Sequence, residues 1–265
     1  MSATVERQRG GTPLNRSIEQ AARMLGLFSP QRPELSLAEM TARMGSTRAT
    51  VHRHAMALRH AGLLRHDPAR QLYSLGPRIV ELAASALAGL RIIKIAGPYM
   101  ERLLGDVNET VVLSVWDGEA PVVVRVDDNT DRVARIVVRT GAKLPASSAQ
   151  GKVFAAFGDA PVGAAGMGPE ELAIVRSSGV AVNSQVVEGI RAIATPVFQD
   201  TELSAAMAIV GTTAGVPDDP WSPMAVALRG AAQLLSAELG FLPGTAEPLA
   251  RTARSTTSTG RSPRP

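Results

Sequence analysis

The segment between Thr47 and Arg65 carries several side chains that donate hydrogen bonds to anions, and it contains no Asp or Glu. A helix that faces only water commonly mixes charges of both signs, whereas a helix against nucleic acid must keep carboxylates away from phosphates. The pattern therefore predicts that this segment forms a helix that contacts DNA. Its first turns would reach base edges, where Arg pairs with guanine and Thr contacts a thymine methyl group. The residues expected to read bases are Arg48, Thr50, His52 and Arg53.

Two further arginines belong to the stretch that follows this helix. Asp67-Pro68 indicates a turn between two short strands. Arg65 and Arg70 are expected on or near that turn, where they can contact phosphates. Such a hairpin after three helices is typical of a winged helix-turn-helix. The same architecture also serves in protein-interaction modules without a specific DNA target, so the residues alone leave this alternative open.

A metal site is not expected, although all four histidines fall within the first 66 residues. His52 and His54 are two residues apart and would point to different sides of a helix. The chain has no cysteine, and no cluster of acids lies nearby to complete a ligand set. We therefore expect neither a metal nor another cofactor. The histidines are His52, His54, His60 and His66.

Residues 79–246 lack the groups on which most enzymes depend. They contain no Cys and no His, which removes the commonest nucleophile and the commonest general base. The segment Gln150-Gly-Lys152 lacks the first glycine and the final hydroxyl residue of a phosphate-binding loop. A Ser–Lys arrangement of Ser147, Ser148 and Lys152 is the catalytic alternative that stays open. The sequence predicts no catalytic residues and no enzymatic activity.

Three predicted helices would position the basic segment. Ser17-Ile-Glu-Gln20 and Ser36-Leu-Ala-Glu39 have the form of capping boxes and predict the starts of the first two helices. Gly45 would end the second helix and Thr47 would cap the third, so that a tight turn joins them as in a helix-turn-helix. Apolar residues at helical spacing predict the buried sides: Ile18, Ala21, Ala22, Leu25 and Phe28 in the first helix, Leu37, Met40 and Met44 in the second, and Val51, Ala55 and Leu58 in the third.

Charge is distributed unevenly along the 265 residues. Residues 1–78 carry a net charge of +7, residues 79–246 carry −6 and residues 247–265 carry +3. This distribution is typical of a basic unit that binds polyanions, joined to an acidic unit. With 45% hydrophobic residues and no cysteine, the chain is neither wholly disordered nor a disulfide scaffold. No apolar run reaches the roughly 20 residues of a membrane span, so we expect a soluble, cytoplasmic protein without a membrane partner.

The order and spacing of several short blocks resemble those of the IclR family of bacterial transcriptional regulators. In the N-terminal part these blocks are Leu-Ala-Glu-Met (37–40), Thr-Val-His-Arg (50–53), Leu-Arg-His-Ala-Gly-Leu (58–63) and Tyr-Ser-Leu-Gly-Pro-Arg (73–78). In the C-terminal part they are Glu109-Thr-Val-Val-Leu113, Gly141-Ala-Lys-Leu-Pro145, Gln150-Gly-Lys152, Ser178-Gly-Val-Ala-Val182 and Glu188-Gly-Ile-Arg-Ala-Ile-Ala-Thr-Pro-Val197.

The resemblance implies an α+β protein with an N-terminal winged helix-turn-helix, a linker helix and a C-terminal GAF-like α/β domain. We expect a mixed sheet that contains antiparallel pairs in that domain. The implied partners are a double-stranded DNA operator, a small-molecule effector and further copies of the chain, in a homodimer or in a tetramer built from dimers. The implied boundaries are a disordered N-terminus (1–13), the DNA-binding domain (14–76), the linker helix (77–95), the effector-binding domain (96–243) and a disordered basic tail (244–265).

Apolar and β-branched runs predict the elements of the C-terminal domain. A helix is expected after Pro98, and a second one over about 222–240. The predicted strands are 111–116, 122–126, 133–138, 190–198 and 203–212.

The resemblance also implies where an effector would bind. Relatives that bind small carboxylates often carry one Asp, one Cys and two Ser at the last four of six pocket positions, and these polar groups are replaced here by Asn, Ala, Ala and Val. We therefore expect a larger, partly apolar effector such as an aromatic or alicyclic acid, with plain core packing as the alternative. The Gly-rich segment 158–175 is short compared with the family pattern, which predicts a reduced wall of the pocket. The six positions are Gln150, Gly151, Asn183, Ala192, Ala208 and Val210.

Overall fold

The computed structural model describes residues 15–89, 91–128, 136 and 138–242. These residues fall into two compact units, the first of which ends at Gly89. The segments predicted to be disordered, 1–13 and 244–265, lie outside the described residues.

The first unit packs three helices against a small antiparallel sheet and ends in a fourth helix. Its elements in chain order are α1 (Arg16–Leu25), β1 (Glu34–Ser36), α2 (Leu37–Met44), α3 (Arg48–His60), β2 (Leu64–Asp67), β3 (Leu72–Leu75) and α4 (Pro77–Gly89). The strands are ordered β1-β3-β2. The core is centred on Met24, Leu35, Met40, Val51 and Ala55, which have no exposed surface. This arrangement is the predicted winged helix-turn-helix.

The starts of α2 and α3 are as predicted. The Ser36 N–H donates to the Glu39 carboxylate (2.8 Å), and the Glu39 N–H donates to the Ser36 hydroxyl (3.2 Å), which completes the capping box. Gly45 adopts φ = 60°, a left-handed conformation that glycine accepts without strain. Thr47 then caps α3 by accepting the Thr50 N–H (3.3 Å).

The prediction for α1 was wrong in its cap and in part of its buried side. The helix is capped by Asn15, whose side chain accepts the Ser17 N–H (3.0 Å), and Ser17 lies inside the helix. Asn caps a helix as well as Ser does, so the sequence offered two equivalent starts two residues apart. Ile18, expected in the core, is 67% exposed, and Met24 occupies the core instead.

The second unit is built on a five-stranded sheet. Its elements are α5 (Arg91–Val107), β4 (Thr110–Trp116), β5 (Pro121–Asp127), α6 (Ala149–Phe157), a 3-10 helix (Val162–Ala165), α7 (Pro169–Ser178), β6 (Ala181–Asn183), β7 (Ile190–Gln199), β8 (Glu202–Thr212) and α8 (Pro223–Glu238). The strands are ordered β5-β4-β8-β7-β6, and each pair within the described residues is antiparallel. The α+β class is confirmed, and the expected mixed sheet is antiparallel throughout these pairs.

Each face of this sheet carries its own apolar core. Because successive strand residues point to opposite faces, Leu113 and Ile209 pack with α5 and α8, while Val112 and Ala208 pack with α6. The sheet is therefore a middle layer between helices. No helix among the described residues is long and apolar enough to span a bilayer.

Two expectations about the second unit need revision. α5 begins at Arg91 and runs through Pro98, although the linker helix was expected to end at residue 95 and the next helix to begin after that proline. A proline inside a helix removes one backbone hydrogen bond, and here the turns on both sides are anchored by the buried Ala96 and Met100. The predicted strand 133–138 lies largely outside the described residues, and residues 136 and 138 are not in a strand.

Candidate nucleic-acid interface and ligand site

The outer side of α3 is an exposed basic surface, as the sequence predicted. Val51, Ala55 and Leu58 anchor the opposite side of the helix in the core. Arg48, His52 and Arg53 are exposed, and Thr50 is half-buried, with its hydroxyl accepting a hydrogen bond from Thr47 (3.0 Å). The structure thus brings together the four predicted base-reading residues in the first two turns of one helix.

The two arginines of the wing that were predicted to contact phosphates differ in their interactions within the protein. Arg65 is exposed on β2. Arg70 lies in the turn after β2, and its guanidinium pairs with the Glu34 carboxylate at 2.7 and 2.8 Å. Glu34 is on β1, the edge strand of the wing sheet, opposite Ser74. A phosphate at Arg70 would have to share the guanidinium with Glu34. No local sequence pattern predicts this ion pair.

A groove separates the wing from the helix-turn-helix. Its volume is about 830 Å³, and it is lined by Ser36, Leu37, Ala38, Arg48, Ala49, His52, His66, Gln71 and Tyr73. Only Arg48 and His52 of these residues were predicted as site residues, so His66 and Gln71 are among those that the prediction missed. His66 was considered only as a metal ligand. Because His66 follows Arg65 on the predicted strand, the alternation of strand residues could have indicated that it lies on the opposite face of the wing sheet from Arg65.

In the second unit, the six predicted effector positions come together on one face of the sheet. Asn183 is paired with Ala192, and Ala192 with Val210, so these three form a row across β6, β7 and β8. Ala208 lies two residues from Val210 along β8 and therefore shares its face. α6, which contains the other two positions, packs on this same face.

Two of the six positions have structural roles of their own. A Cβ atom on Gly151 would lie 2.1 Å from the Ala146 carbonyl oxygen, so only glycine allows α6 to pack there. The Asn183 side chain donates to the Ser147 carbonyl (2.6 Å) and accepts the Gln185 N–H (2.9 Å). Both residues hold the backbone around the site, whether or not they touch a ligand.

Gln150 stands apart from the other positions. It is only 3% exposed, yet its side-chain amide forms no hydrogen bond within the part of the chain that the structure describes. Ala208 and Val210, by contrast, belong to the apolar core on that face. The amide atoms are not among the fully buried polar atoms that lack a partner in the described part of the chain, so they are accessible to a polar group of a bound molecule.

The segment Gln150-Gly-Lys152 lies in the first turn of α6 rather than in a loop. Ser148 caps this helix by accepting the Gly151 N–H (3.1 Å). The Lys152 ammonium donates to the Glu171 carboxylate (2.6 Å) and to the Val182 carbonyl (3.2 Å). Both groups are thereby committed to structural contacts, which disfavours the Ser–Lys catalytic arrangement. Beside them lies a polar cavity of about 290 Å³, which Ser147, Glu171 and Asn183 also line.

Models of known protein families match segments in both units of the protein. The model of the IclR helix-turn-helix domain matches residues 17–68, and that of the bacterial transcriptional regulator IclR C-terminal domain matches residues 84–164. The HTH-type transcriptional regulator XynR of Escherichia coli is 28% identical over 86% of this chain and 99% of its own. The chain belongs to the IclR family.

Solved structures agree with this assignment at the level of the fold. An IclR regulator from a Silicibacter species is 23% identical, covers 88% of this chain and 98% of its own, and superposes with a TM-score of 0.74. An IclR homologue from Microbacterium hydrocarbonoxydans, crystallised with 4-hydroxybenzoate, is 22% identical over 84% of this chain and 99% of its own, with a TM-score of 0.68.

Membership in the IclR family decides between the classes of function that the residues left open. The family consists of transcriptional regulators with a DNA-binding helix-turn-helix. The protein is therefore a transcriptional regulator rather than an enzyme. Its first unit is a DNA-binding domain, and the alternative of an interaction module without a DNA target loses its support.

Proposed function

We propose that this IclR-family regulator reads a specific operator with α3 and that a small molecule bound in the second unit modulates this reading. The observation that carries the DNA contact is the two-sided character of α3: its apolar side is fully packed, and its first two turns expose Arg48, His52 and Arg53 without a carboxylate among them. In a winged helix-turn-helix such a helix enters the major groove, and the wing contacts the backbone.

The test of the DNA contact is an affinity measurement on the full chain with duplex DNA from its own upstream region, at two salt concentrations. Arg53→Ala is expected to weaken binding by about 1–3 kcal/mol and to relax specificity at one base pair. Arg102→Ala is the matched control, because Arg102 is an exposed arginine on α5 in the other unit. Unchanged affinity and specificity in the Arg53 variant would show that α3 is not the reading helix.

Two copies of the chain are expected to bind together. Two winged units held in a homodimer, or in a tetramer of dimers, would read half-sites separated by one or more turns of DNA. Light scattering after gel filtration gives the number of chains in the free protein. Footprinting gives the spacing of the half-sites, and a single unpaired half-site would contradict the dimeric arrangement.

The effector that fits the second unit best is a partly apolar organic acid, such as an aromatic acid. The half-buried Ala192 and the 8% exposed Val210 offer apolar surface, and the amide of Gln150 offers a polar group, a combination typical of ligand pockets. The Microbacterium homologue crystallised with 4-hydroxybenzoate supports the same ligand class. A thermal-shift screen should find stabilisation by aromatic acids, and stabilisation only by two- or three-carbon acids would contradict this class.

The mechanism is a coupling between two sites. An effector changes DNA affinity only to the extent that it binds the DNA-competent and DNA-incompetent states with different affinities. The coupling is reciprocal, so the operator must change effector affinity by the same factor. Calorimetric titration of the effector with and without operator DNA, and of operator DNA with and without the effector, measures both sides of this equality.

A further inference from the structure

We propose that the groove between α2, α3 and the wing is a binding site for a backbone phosphate of DNA, and that His66 contacts this phosphate and takes up a proton when DNA binds. The inference rests on the proposed DNA binding by α3 and adds to it a phosphate site and a proton linkage. His66 was not among the predicted DNA contacts.

The groove has the charge that a phosphate needs. Its ionisable lining residues are Arg48 and His52 from α3, His66 from β2 and Tyr73 from β3, and none of its nine lining residues is acidic. It also lies next to the first turns of α3, which are expected to enter the major groove. A backbone phosphate that flanks the bases read by α3 would therefore lie close to the groove.

His66 is held at the groove by the wing sheet. Its imidazole lies against the Tyr73 ring, with the centroids 4.4 Å apart and the rings tilted by 37°. The two residues are paired across β2 and β3. Because strand residues alternate between faces, Arg65 and Asp67 point to the other face of the sheet. His66 is thus a half-buried, pre-positioned donor rather than a freely rotating surface side chain.

Three acids on the elements around the groove do not line it, and each is bonded to a group of the protein. The Asp67 carboxylate accepts the N–H groups of Ala69 (2.9 Å) and Arg70 (3.2 Å). The Glu39 carboxylate is folded back onto Ser36, and the hydrogen bond from the Ser36 backbone holds the pKa of Glu39 below its usual value. Glu34 is paired with Arg70. None of these carboxylates lines the groove as a standing counter-ion for the two imidazoles.

A phosphate in the groove changes the protonation of its imidazoles. Histidine side chains change charge between about pH 5 and pH 8, and a nearby anion favours the charged form. Binding therefore takes up a proton in the pH range where the imidazole is neutral in the free protein and charged in the complex. The contribution of the imidazole to DNA affinity is complete below this range, where the imidazole is already protonated, and is lost as the pH rises. One proton taken up corresponds to at most about a tenfold fall in affinity per pH unit.

The experiment compares the full chain with His66→Phe, which keeps a ring beside Tyr73 but cannot be protonated. Fluorescence anisotropy with duplex DNA from the chain's upstream region is measured between pH 6 and pH 8, with a salt titration at each end. The wild type is expected to lose affinity as the pH rises. The variant is expected to bind several-fold more weakly at pH 6, with a flatter pH profile and a salt slope lower by about one unit.

Two controls separate this site from general effects. His60→Phe changes an exposed histidine in the last turn of α3 that does not line the groove, and it should keep the wild-type pH profile. His66→Gln removes the charge but keeps a hydrogen-bond donor, so it should flatten the pH profile while retaining most of the affinity at pH 8. Thermal unfolding of each variant verifies that the winged unit stays folded.

The outcomes discriminate between the two proposals. If the wild type binds DNA and both His66 variants keep its pH profile and salt slope, the groove holds only solvent and the phosphate site is overturned. If His60→Phe flattens the profile as much as His66→Phe does, the proton is taken up outside the groove and the site is again overturned. If the wild type binds no DNA at either pH, the DNA-reading role of α3 fails first.

Discussion

The two units of the protein hold their candidate functional residues in opposite ways. In the winged unit, Arg48, His52 and Arg53 project into solvent from a helix whose other side is packed. In the second unit, Gln150 on α6 and Asn183 on β6 are buried, on the side of the sheet that α6 covers. Exposed reading residues make few contacts within the protein, so changing them should alter binding and leave the free energy of unfolding nearly untouched. Buried sensing residues are also part of a core, so changing them should alter both.

The strongest test of this contrast is Gly151→Ala. The added methyl group would lie 2.1 Å from the Ala146 carbonyl oxygen, and backbone cannot move away as a flexible side chain can. We expect the second unit to lose about 3 kcal/mol or more of its free energy of unfolding. Urea unfolding followed by tryptophan fluorescence measures this unit alone, because both tryptophans, Trp116 and Trp221, belong to it.

The matched control for this substitution is Gly230→Ala, inside α8. A Cβ atom at Gly230 meets no atom within 4 Å, and alanine is a better helix former than glycine. This variant should be more stable than the wild type by about 0.5–1 kcal/mol. Equal destabilisation by both substitutions would contradict the close approach of Ala146 as the reason for glycine at position 151.

A smaller effect is expected when the partly buried ion pair between Lys152 and Glu171 is broken. Only 9% of the Lys152 side chain is exposed, and Glu171→Gln would leave its ammonium facing a neutral amide. We expect a loss of about 1–3 kcal/mol, the range for a hydrogen bond to a charged group. Glu170→Gln, one residue earlier and exposed, should change the free energy of unfolding by less than about 0.5 kcal/mol. Similar losses in both variants would point to the helix dipole of α7 rather than to Lys152.

The smallest expected effect tests the wing. Glu34→Gln would release the Arg70 guanidinium from its ion pair and should strengthen DNA binding slightly, because an exposed salt bridge contributes little. In an Arg70→Ala background the same change should have little effect, because the partner is gone. Glu19→Gln, on α1, controls for the loss of one negative charge. A gain of equal size in both backgrounds would show that Arg70 does not contact the phosphates.

Local signals in the sequence were sufficient where the structure is decided locally. The capping box at Ser36, the left-handed Gly45 and the inner side of α3 were predictable because they depend on residues three or four positions apart. The start of α1 was not predictable, because Asn15 and Ser17 are both good caps and burial of Met24 decided between them. α6 was not predicted as a helix, because the segment Gln150-Gly-Lys152 was compared only with a phosphate-binding loop.

The sequence by itself determined the two-unit organisation, the class of each unit and the basic side of α3. These features depend on charge and on short-range periodicity, which can be read from residues close together in the chain. Only the tertiary structure decided which distant residues meet. It paired Arg70 with Glu34, placed His66 beside Tyr73 at the edge of the groove, and aligned Asn183, Ala192 and Val210 in one row. These contacts follow from strand order and register, which arise when separate segments bury their apolar faces together, and no spacing within one segment specifies them.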